Sequence, residues 1–279
     1  MLKNKIFVIG GNGLLGSCFK KVFPLITFSV GRNLKNDYVI DKNIFVTLEK
    51  ICSPGDLIIH SAWDINLKKW EENHFIENYF INFSENIFSF SQKRNIKCIF
   101  ISTDQVYDGI GPHKEGYEIS PLNNYGRVKL YCENLALKYN VIISRINFLT
   151  TDPTKNEKGW VESLIKRATN NNKIILFDNV YFSPCSGLKA AEIIYKLSLT
   201  NSSGIFNIGC REKFTKSYVA LKILNYKNLT TKNIQIKSVD KFPDNIKRSK
   251  DLSMNVEKIE KKLNLNLETK EELIKNIFI

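Results

Sequence analysis

Two residues four apart, Tyr125 and Lys129 in Tyr125-Gly-Arg-Val-Lys129, are the pair in this chain best suited to proton chemistry. On a helix they lie one turn apart on the same face, so both can address one reacting atom. A free phenol, with a pKa near 10, is a slow proton donor or acceptor at neutral pH. A neighbouring ammonium favours the phenolate, so Lys129 is expected to lower the Tyr125 pKa and also to bond the ribose of a nicotinamide. Thr103, 22 residues earlier, ends an apolar run and offers a hydroxyl that can hold a substrate oxygen. Together the three groups suit reduction of a carbonyl, with Tyr125 as the acid in that direction and the base in the reverse.

Such chemistry needs a hydride carrier, and the segment Gly10-Gly-Asn-Gly-Leu-Leu-Gly16 is built to hold one. It follows the apolar run Lys5–Ile9 and precedes a helix-length stretch. Glycines at these points allow a sharp turn, let the backbone approach a pyrophosphate, and let helix and strand pack closely, while the helix N-terminus faces the phosphate charge. Gly10, Asn12, Gly13, Leu14, Leu15 and Gly16 are therefore the cofactor candidates of the loop. An acidic side chain usually follows about 20 residues on to bind ribose hydroxyls. Here the sequence reads Ser29-Val-Gly-Arg32, without a carboxylate. Arg32 either pairs with a 2′-phosphate or is an exposed loop arginine, so NADPH is favoured and NADH is the alternative.

The elements that must position these groups alternate. Strand-like runs recur at Lys5–Ile9, Ile26–Val30, Tyr38–Ile40, Leu57–His60, Cys98–Ile101 and Val141–Ser144. Helical stretches at Leu14–Phe23, Ile44–Ile51, Asn78–Arg94 and Gly126–Tyr139 lie between them. That order predicts an α/β Rossmann-type fold, a doubly wound parallel sheet with ligands at the carboxyl ends of its strands. Residues 1–150 form this dinucleotide-binding unit. Beyond them the alternation weakens, with a helix at Lys158–Thr169, strands at Ile174–Phe177 and Ile205–Ile208, and a helix near Leu188–Leu199. Residues 151–279 read as a smaller C-terminal α/β lobe facing the substrate, part of 174–215 rejoining the first unit.

Composition narrows the class. The 279 residues are 43% hydrophobic and 25% charged, as in ordinary globular domains. The formal net charge is +13, but the lysines are spread along the chain with no long basic block, so no nucleic-acid partner is expected. The apolar run near the N-terminus is too short for a secretory signal or a membrane span, and no stretch reaches the ~18 apolar residues a span needs. A cytoplasmic location without membrane association follows. Six scattered cysteines without a close histidine suggest free thiols in a reducing compartment and neither a zinc site nor a disulfide framework. No metal ligand set stands out among the acidic residues. A homodimer is compatible with this reading.

The residues resemble the extended short-chain dehydrogenases and, within them, the dTDP-4-dehydrorhamnose reductase family. Ser102-Thr-Asp-Gln-Val-Tyr-Asp-Gly109 is similar to that family's S-T-D-Y-V-F-D-G, and Pro121-Leu-Asn-Asn-Tyr-Gly-Arg-Val-Lys129 to its P-x-N-x-Y-G-x-x-K. Arg145-Ile-Asn-Phe148, Phe182-Ser-Pro184, Gly204-Ile-Phe-Asn-Ile-Gly209 and Lys247-Arg-Ser-Lys-Asp-Leu-Ser253 extend the likeness nearly to the end. The resemblance implies NADPH- or NADH-dependent reduction of a 4-keto group on a nucleotide-linked 6-deoxyhexose in surface-polysaccharide synthesis. It places Asp41 near adenine, Ser61, Ala62 and Trp63 along the cofactor, and Asp104, Gln105 and Phe148 against the sugar. The chain departs from the pattern at Gln105, where the family has Tyr, at Phe148, where it has Trp, and at His60-Ser-Ala-Trp63, where it has N-A-A-A.

Four alternatives share or contest this reading. An epimerase would use the same Tyr and Lys. A dehydratase is disfavoured, because related enzymes carry Glu where this chain has the amide Gln105. A regulatory homologue could keep the cofactor fold without catalysis, and a basic nucleic-acid binder rests on charge alone. His60 reads as a strand-end packing residue rather than a base.

Overall fold

The first strand, β1 (Ile6–Ile9), is four apolar residues long and buried throughout. Ile6 and Val8 face one side of a sheet while Phe7 and Ile9 face the other, so both faces must be covered. The chain meets this demand by alternation: α1 (Leu14–Val22), β2 (Thr27–Gly31), β3 (Tyr38–Val39), α2 (Ile44–Ile51), β4 (Leu57–His60), α3 (Leu67–Glu72), α4 (Phe75–Lys93), β5 (Lys97–Thr103), α5 (Asn124–Lys138) and β6 (Ile142–Ile146). The structure, a computed structural model, describes residues 4–41, 43–73, 75–151, 159–241 and 247–278.

The remaining elements are β7 (Phe148–Leu149), α6 (Trp160–Thr169), β8 (Ile174–Phe177), β9 (Tyr181–Phe182), β10 (Cys185–Ser186), α7 (Gly187–Ser198), β11 (Ile205–Ile208), β12 (Phe214–Thr215), α8 (Lys216–Tyr226), β13 (Ile234–Lys237), β14 (Asp251–Leu252), α9 (Glu257–Leu263) and α10 (Lys270–Asn276). The main sheet has seven strands in the order β11-β6-β5-β4-β1-β2-β3. Every pairing within it is parallel, β1 sitting between β4 and β2 with Ile6 opposite both Leu57 and Thr27. The fold is the α/β Rossmann-type architecture expected from the alternation.

One face is packed by residues of α1, α7 and α9, the other by residues of α2, α4 and α5. A third apolar cluster joins α6, α8 and α10 to short strands. Around it, β8 pairs with β13, and β9 lies between β12 and β14. The helix expected at Lys158–Thr169 runs from Trp160, with Lys158 outside the described residues. The helix near Leu188–Leu199 is α7, which lies against the main sheet, and β11 is that sheet's edge strand beside β6.

Differences from the sequence expectations have local causes. α5 starts at Asn124 because the Asn123 side chain accepts the Gly126 N–H at 2.9 Å, capping the helix two residues earlier than the apolar pattern suggests. α3, six residues long, shows too little periodicity to be seen.

Candidate functional site

β1 hands the chain to the glycine loop at the point where strand order reverses, between β1 and its neighbours β4 and β2. Gly10 has φ +87°, and a Cβ there would lie 2.7 Å from the Ala62 Cα, so only glycine fits between the two loops. Gly16 abuts the Gly11 backbone, which lets α1 lie against the turn. Gly13 caps α1 without a side chain of its own to bond the helix, and the first turn holds no acidic residue. The first-turn N–H groups and the positive helix end are thus a seat for phosphate.

Beside this seat lies a cleft of about 790 Å³ whose walls include Gly10, Asn12, Gly13, Arg32, Trp63 and Tyr79. The Arg32 guanidinium stands 5.6 Å from the Tyr79 ring centroid. The acid of this region, Asp37, is turned inward: its carboxylate accepts from the Ser29 N–H and hydroxyl and pairs with Lys20 at 3.0 Å. Although burial works against the carboxylate, the Ser29 and Lys20 contacts hold its pKa below the ordinary value. Asp37 therefore does not compete with Arg32 at the end of β2, and the carboxylate that does line this cleft, Asp64, is paired with Lys69 at 2.9 Å. Asp41 lies outside the walls of this cleft, exposed and 3.8 Å from Lys50. The cradle, the helix end and Arg32 fit a dinucleotide carrying a 2′-phosphate.

A second cleft, of about 540 Å³, shares Gly10, Gly13 and Trp63 with the first. Leu14, Leu15, Ser61, Thr103, Asp104, Gln105, Tyr125, Lys129 and Phe148 all line it. Ala62 lines the first cleft only, and Gly16 lines neither, serving packing instead. Thr103 ends β5 and caps a 3₁₀ turn, Asp104–Val106, by accepting the Gln105 N–H at 3.2 Å. Its hydroxyl also bonds the Tyr125 phenol. Spacing along β5 and α5 thus brings Thr103, Tyr125 and Lys129 to one wall.

Their electrostatics differ from the expectation. Tyr125 titrates above an ordinary phenol, chiefly because it is buried; the Thr103 bond opposes this and the nearby Asp104 adds to it. Lys129 does not acidify it. The ammonium instead donates to the Ile101 carbonyl at 2.6 Å and lies 3.8 Å from the Trp63 ring centroid and 4.6 Å from that of Phe100. Burial pulls Lys129 down to about 7, against the weaker opposing pull of Cys132 and Glu133. Desolvation sets both values, because each charged form would have to exist in an apolar pocket.

At the other wall Asp104 is buried and accepts from Asn147 Nδ2 at 2.5 Å. Burial raises its pKa despite Asn147 and the positive Lys216. Lys216 starts α8, lines the same cleft and is itself pulled down by burial, with Asp104 opposing and Arg248 reinforcing the shift. Lys216, Asn147 and Trp160 are wall residues that the sequence reading did not single out. Asn147 sits within the quoted Arg145–Phe148 segment and could have been found there. Lys216 is one of 41 basic residues and carried no local signal.

Behind the wall a buried network ties β5, β6, α5 and β11 together. Arg145 bonds both carboxylate oxygens of Glu133, with Nη2–Oε2 at 2.6 Å, and the Tyr107 hydroxyl at 2.7 Å. Ser102 donates to Glu133, and Tyr107 to Asn207 at 2.9 Å. His60, fully buried, bonds Ser84 at 2.9 Å among Phe83, Phe88 and Phe100, and burial, then Lys129, holds it well below its usual pKa. It is a packing residue, as its position implied.

Residues 4–278 match the RmlD substrate binding domain family. The chain belongs to this family. Among solved structures, the family resemblance extends to a dTDP-4-dehydrorhamnose reductase of Bacillus anthracis in complex with NADP, 21% identical, covering 99% of each chain at a TM-score of 0.86. A hypothetical dTDP-4-dehydrorhamnose reductase from Sulfolobus tokodaii is 24% identical over 99% of each chain, TM-score 0.80. At these identities the likeness speaks to the fold. A probable low-salt glycan biosynthesis reductase of Haloferax volcanii is 28% identical over 136 residues, 47% of this chain and 45% of that protein. The chain thus matches about half the length of that relative.

Proposed function

We propose that this RmlD-family chain is an NADPH-dependent reductase, also admitting NADH, of a nucleotide-linked 4-keto-6-deoxysugar in surface-polysaccharide or deoxysugar synthesis. The observation that carries the reading is the convergence of Thr103, Tyr125, Lys129 and Asp104 on a cleft continuous with the glycine-loop seat. NADP in the B. anthracis relative and glycan synthesis in the H. volcanii one support it.

The chemistry NADPH supplies when bound is hydride. Gly10, Asn12, Gly13, Leu14 and Leu15 would hold its pyrophosphate side, Arg32 its 2′-phosphate, and Ser61, Ala62 and Trp63 the inner wall. The chain's own residues then handle the oxygen. The raised pKa of Tyr125 keeps its proton on the phenol until a developing alkoxide makes a stronger base. Tyr125 transfers that proton to the carbonyl oxygen, and the Thr103 hydroxyl donates a second bond that holds the same oxygen in line. Lys129, with a pKa near neutrality, can restore the Tyr125 proton or bond the ribose. Asp104, Gln105, Asn147 and Phe148 face the sugar.

The same reading places the enzyme in the cytoplasm, supported by six free cysteines. No described helix is long and apolar enough to cross a membrane. It assigns residues 1–150, with part of 174–215, to cofactor binding and most of 151–279 to substrate, is compatible with a homodimer, and expects no nucleic-acid partner. The test is direct: purified protein, NADPH and a dTDP-4-keto-6-deoxyhexose are mixed while nicotinamide absorbance is followed. Loss of absorbance that depends on the sugar is expected; none across several nucleotide-linked ketosugars would refute the reading.

A further inference from the structure

Two tryptophans connect the proposed catalytic pair. Trp63, in the loop after β4, and Trp70, on α3, stack with centroids 5.6 Å apart and planes 11° apart. The Trp63 face carries the Lys129 ammonium at 3.8 Å. The Trp70 ring meets Tyr125 edge to face at 5.8 Å and 75°. Phe80 of α4 packs on both indoles, 4.7 Å from Trp63 and 5.2 Å from Trp70. Trp70 is fully buried and its Nε1 donates to the Asp64 carbonyl at 2.7 Å, which anchors the stack.

An ammonium in a dry pocket needs replacements for its water. Lys129 has the Ile101 carbonyl on one side. Its other polar surroundings offer little: His60 on β4 is held neutral by burial, Cys132 and Glu133 on its own helix act only through space, and Tyr125, one turn back, is protonated beside Asp104. An indole face is the strongest π partner for a cation, and its worth grows with desolvation.

We infer that Trp63 and Trp70 are positioning residues for the Tyr125–Lys129 pair: Trp63 binds the ammonium through its π face, Trp70 braces the phenol, and their stacking makes the two one part. The inference rests on the reading of Tyr125 and Lys129 as the catalytic pair. It also gives a task to the position where this chain has Trp63 and the family pattern has a small residue.

The test reads Lys129 itself. Protein labelled with carbon-13 lysine is titrated by NMR, the Lys129 signal being identified by its loss in Lys129→Met. Trp63→Leu keeps the pocket dry but removes the π face, and Lys129 should then titrate about one pH unit lower, while Trp63→Phe should shift it by less than half as much. The high-pH limb of the kcat profile, where Lys129 loses the proton it must pass to Tyr125, should move in step. Should Trp63→Leu fail to fold, the wild-type chain grown on progressively fluorinated tryptophan should show a stepwise fall in the Lys129 pKa, since fluorine drains the ring's negative face. An unmoved Lys129 titration in Trp63→Leu or in the fluorinated series would overturn the inference. Turnover retained in Tyr125→Phe would overturn it from the other side, by removing the catalytic pair, and the two failures are told apart because the titration needs no turnover.

Discussion

Replacing Arg145 by methionine isolates the buried network behind the active wall. Arg145 makes three hydrogen bonds to Glu133 and one to Tyr107, and both charged side chains are at most 1% exposed. Arg145→Met removes all four and leaves the Glu133 carboxylate inside the protein with Ser102 as its remaining partner. Breaking a buried pair by removing one member costs about 3–5 kcal/mol, because the other charge is stranded. At roughly 2–4 °C per kcal/mol for a chain of this size, Tm should fall by about 10 °C. A second change, Glu133→Leu, should return most of the loss, since no buried charge remains. About 1–2 kcal/mol should stay missing for the Ser102 hydroxyl left without its acceptor. Urea unfolding of the wild type, both single variants and the double variant, followed by circular dichroism and fluorescence together, gives the cycle. A cost below about 1 kcal/mol for Arg145→Met, or a double variant no more stable than that single one, would refute the account.

Tyr125→Phe should lower kcat by about 10²–10⁴-fold while NADPH still binds, as measured by turnover and by quenching of intrinsic fluorescence. Arg32→Ala should raise the KM for NADPH by roughly tenfold and leave that for NADH nearly unchanged, the loss expected of one charge-assisted bond. Lys216→Met should raise the KM for the nucleotide sugar by about tenfold with little change in the cofactor's, and equal KM values would show that Lys216 does not face the substrate. Lys129 titrates near 7 in the fold and near its ordinary 10.5 when unfolded, so the unfolded chain binds more protons between those values and the group's contribution to stability is lost as pH falls from 10.5 towards 7. Urea midpoints of Lys129→Met should accordingly show a weaker rise with pH over that window than those of the wild type.

Much of the fold was legible in residue order because each long strand is apolar on both faces and is bounded by turn residues. β4, β8, β11 and α2 run over the ranges that periodicity suggests. The two-residue strands β9, β10, β12 and β14 exist only through partners distant in sequence, Phe182 with Phe214 and Leu252 for example, and no local pattern announces them. At the site, the glycine loop, Thr103, Tyr125 and Lys129 were readable because their chemistry fixes their spacing. Lys216 reaches the same cleft from more than 80 residues beyond Lys129, and only the packing of α8 brings it there. Spacing also says nothing of dryness. That is why Lys129 was expected to acidify Tyr125, and why burial sets both values instead.

The position of β11 has a consequence for how the molecule is made. Ile205–Ile208 covers the edge of β6, pairing along Ile143–Ile146, yet those residues emerge from a ribosome some 60 positions later. Until then a nascent chain carries an apolar strand with open backbone donors and acceptors, the kind of edge that recruits other strands. α6 and β8 leave the ribosome in that interval, ahead of the partners they pack against. A fragment cut near residue 150 keeps the glycine loop and all three proposed catalytic side chains while exposing this sticky border. Its fate would be self-association, which the whole chain escapes only once β11 has returned to close the sheet.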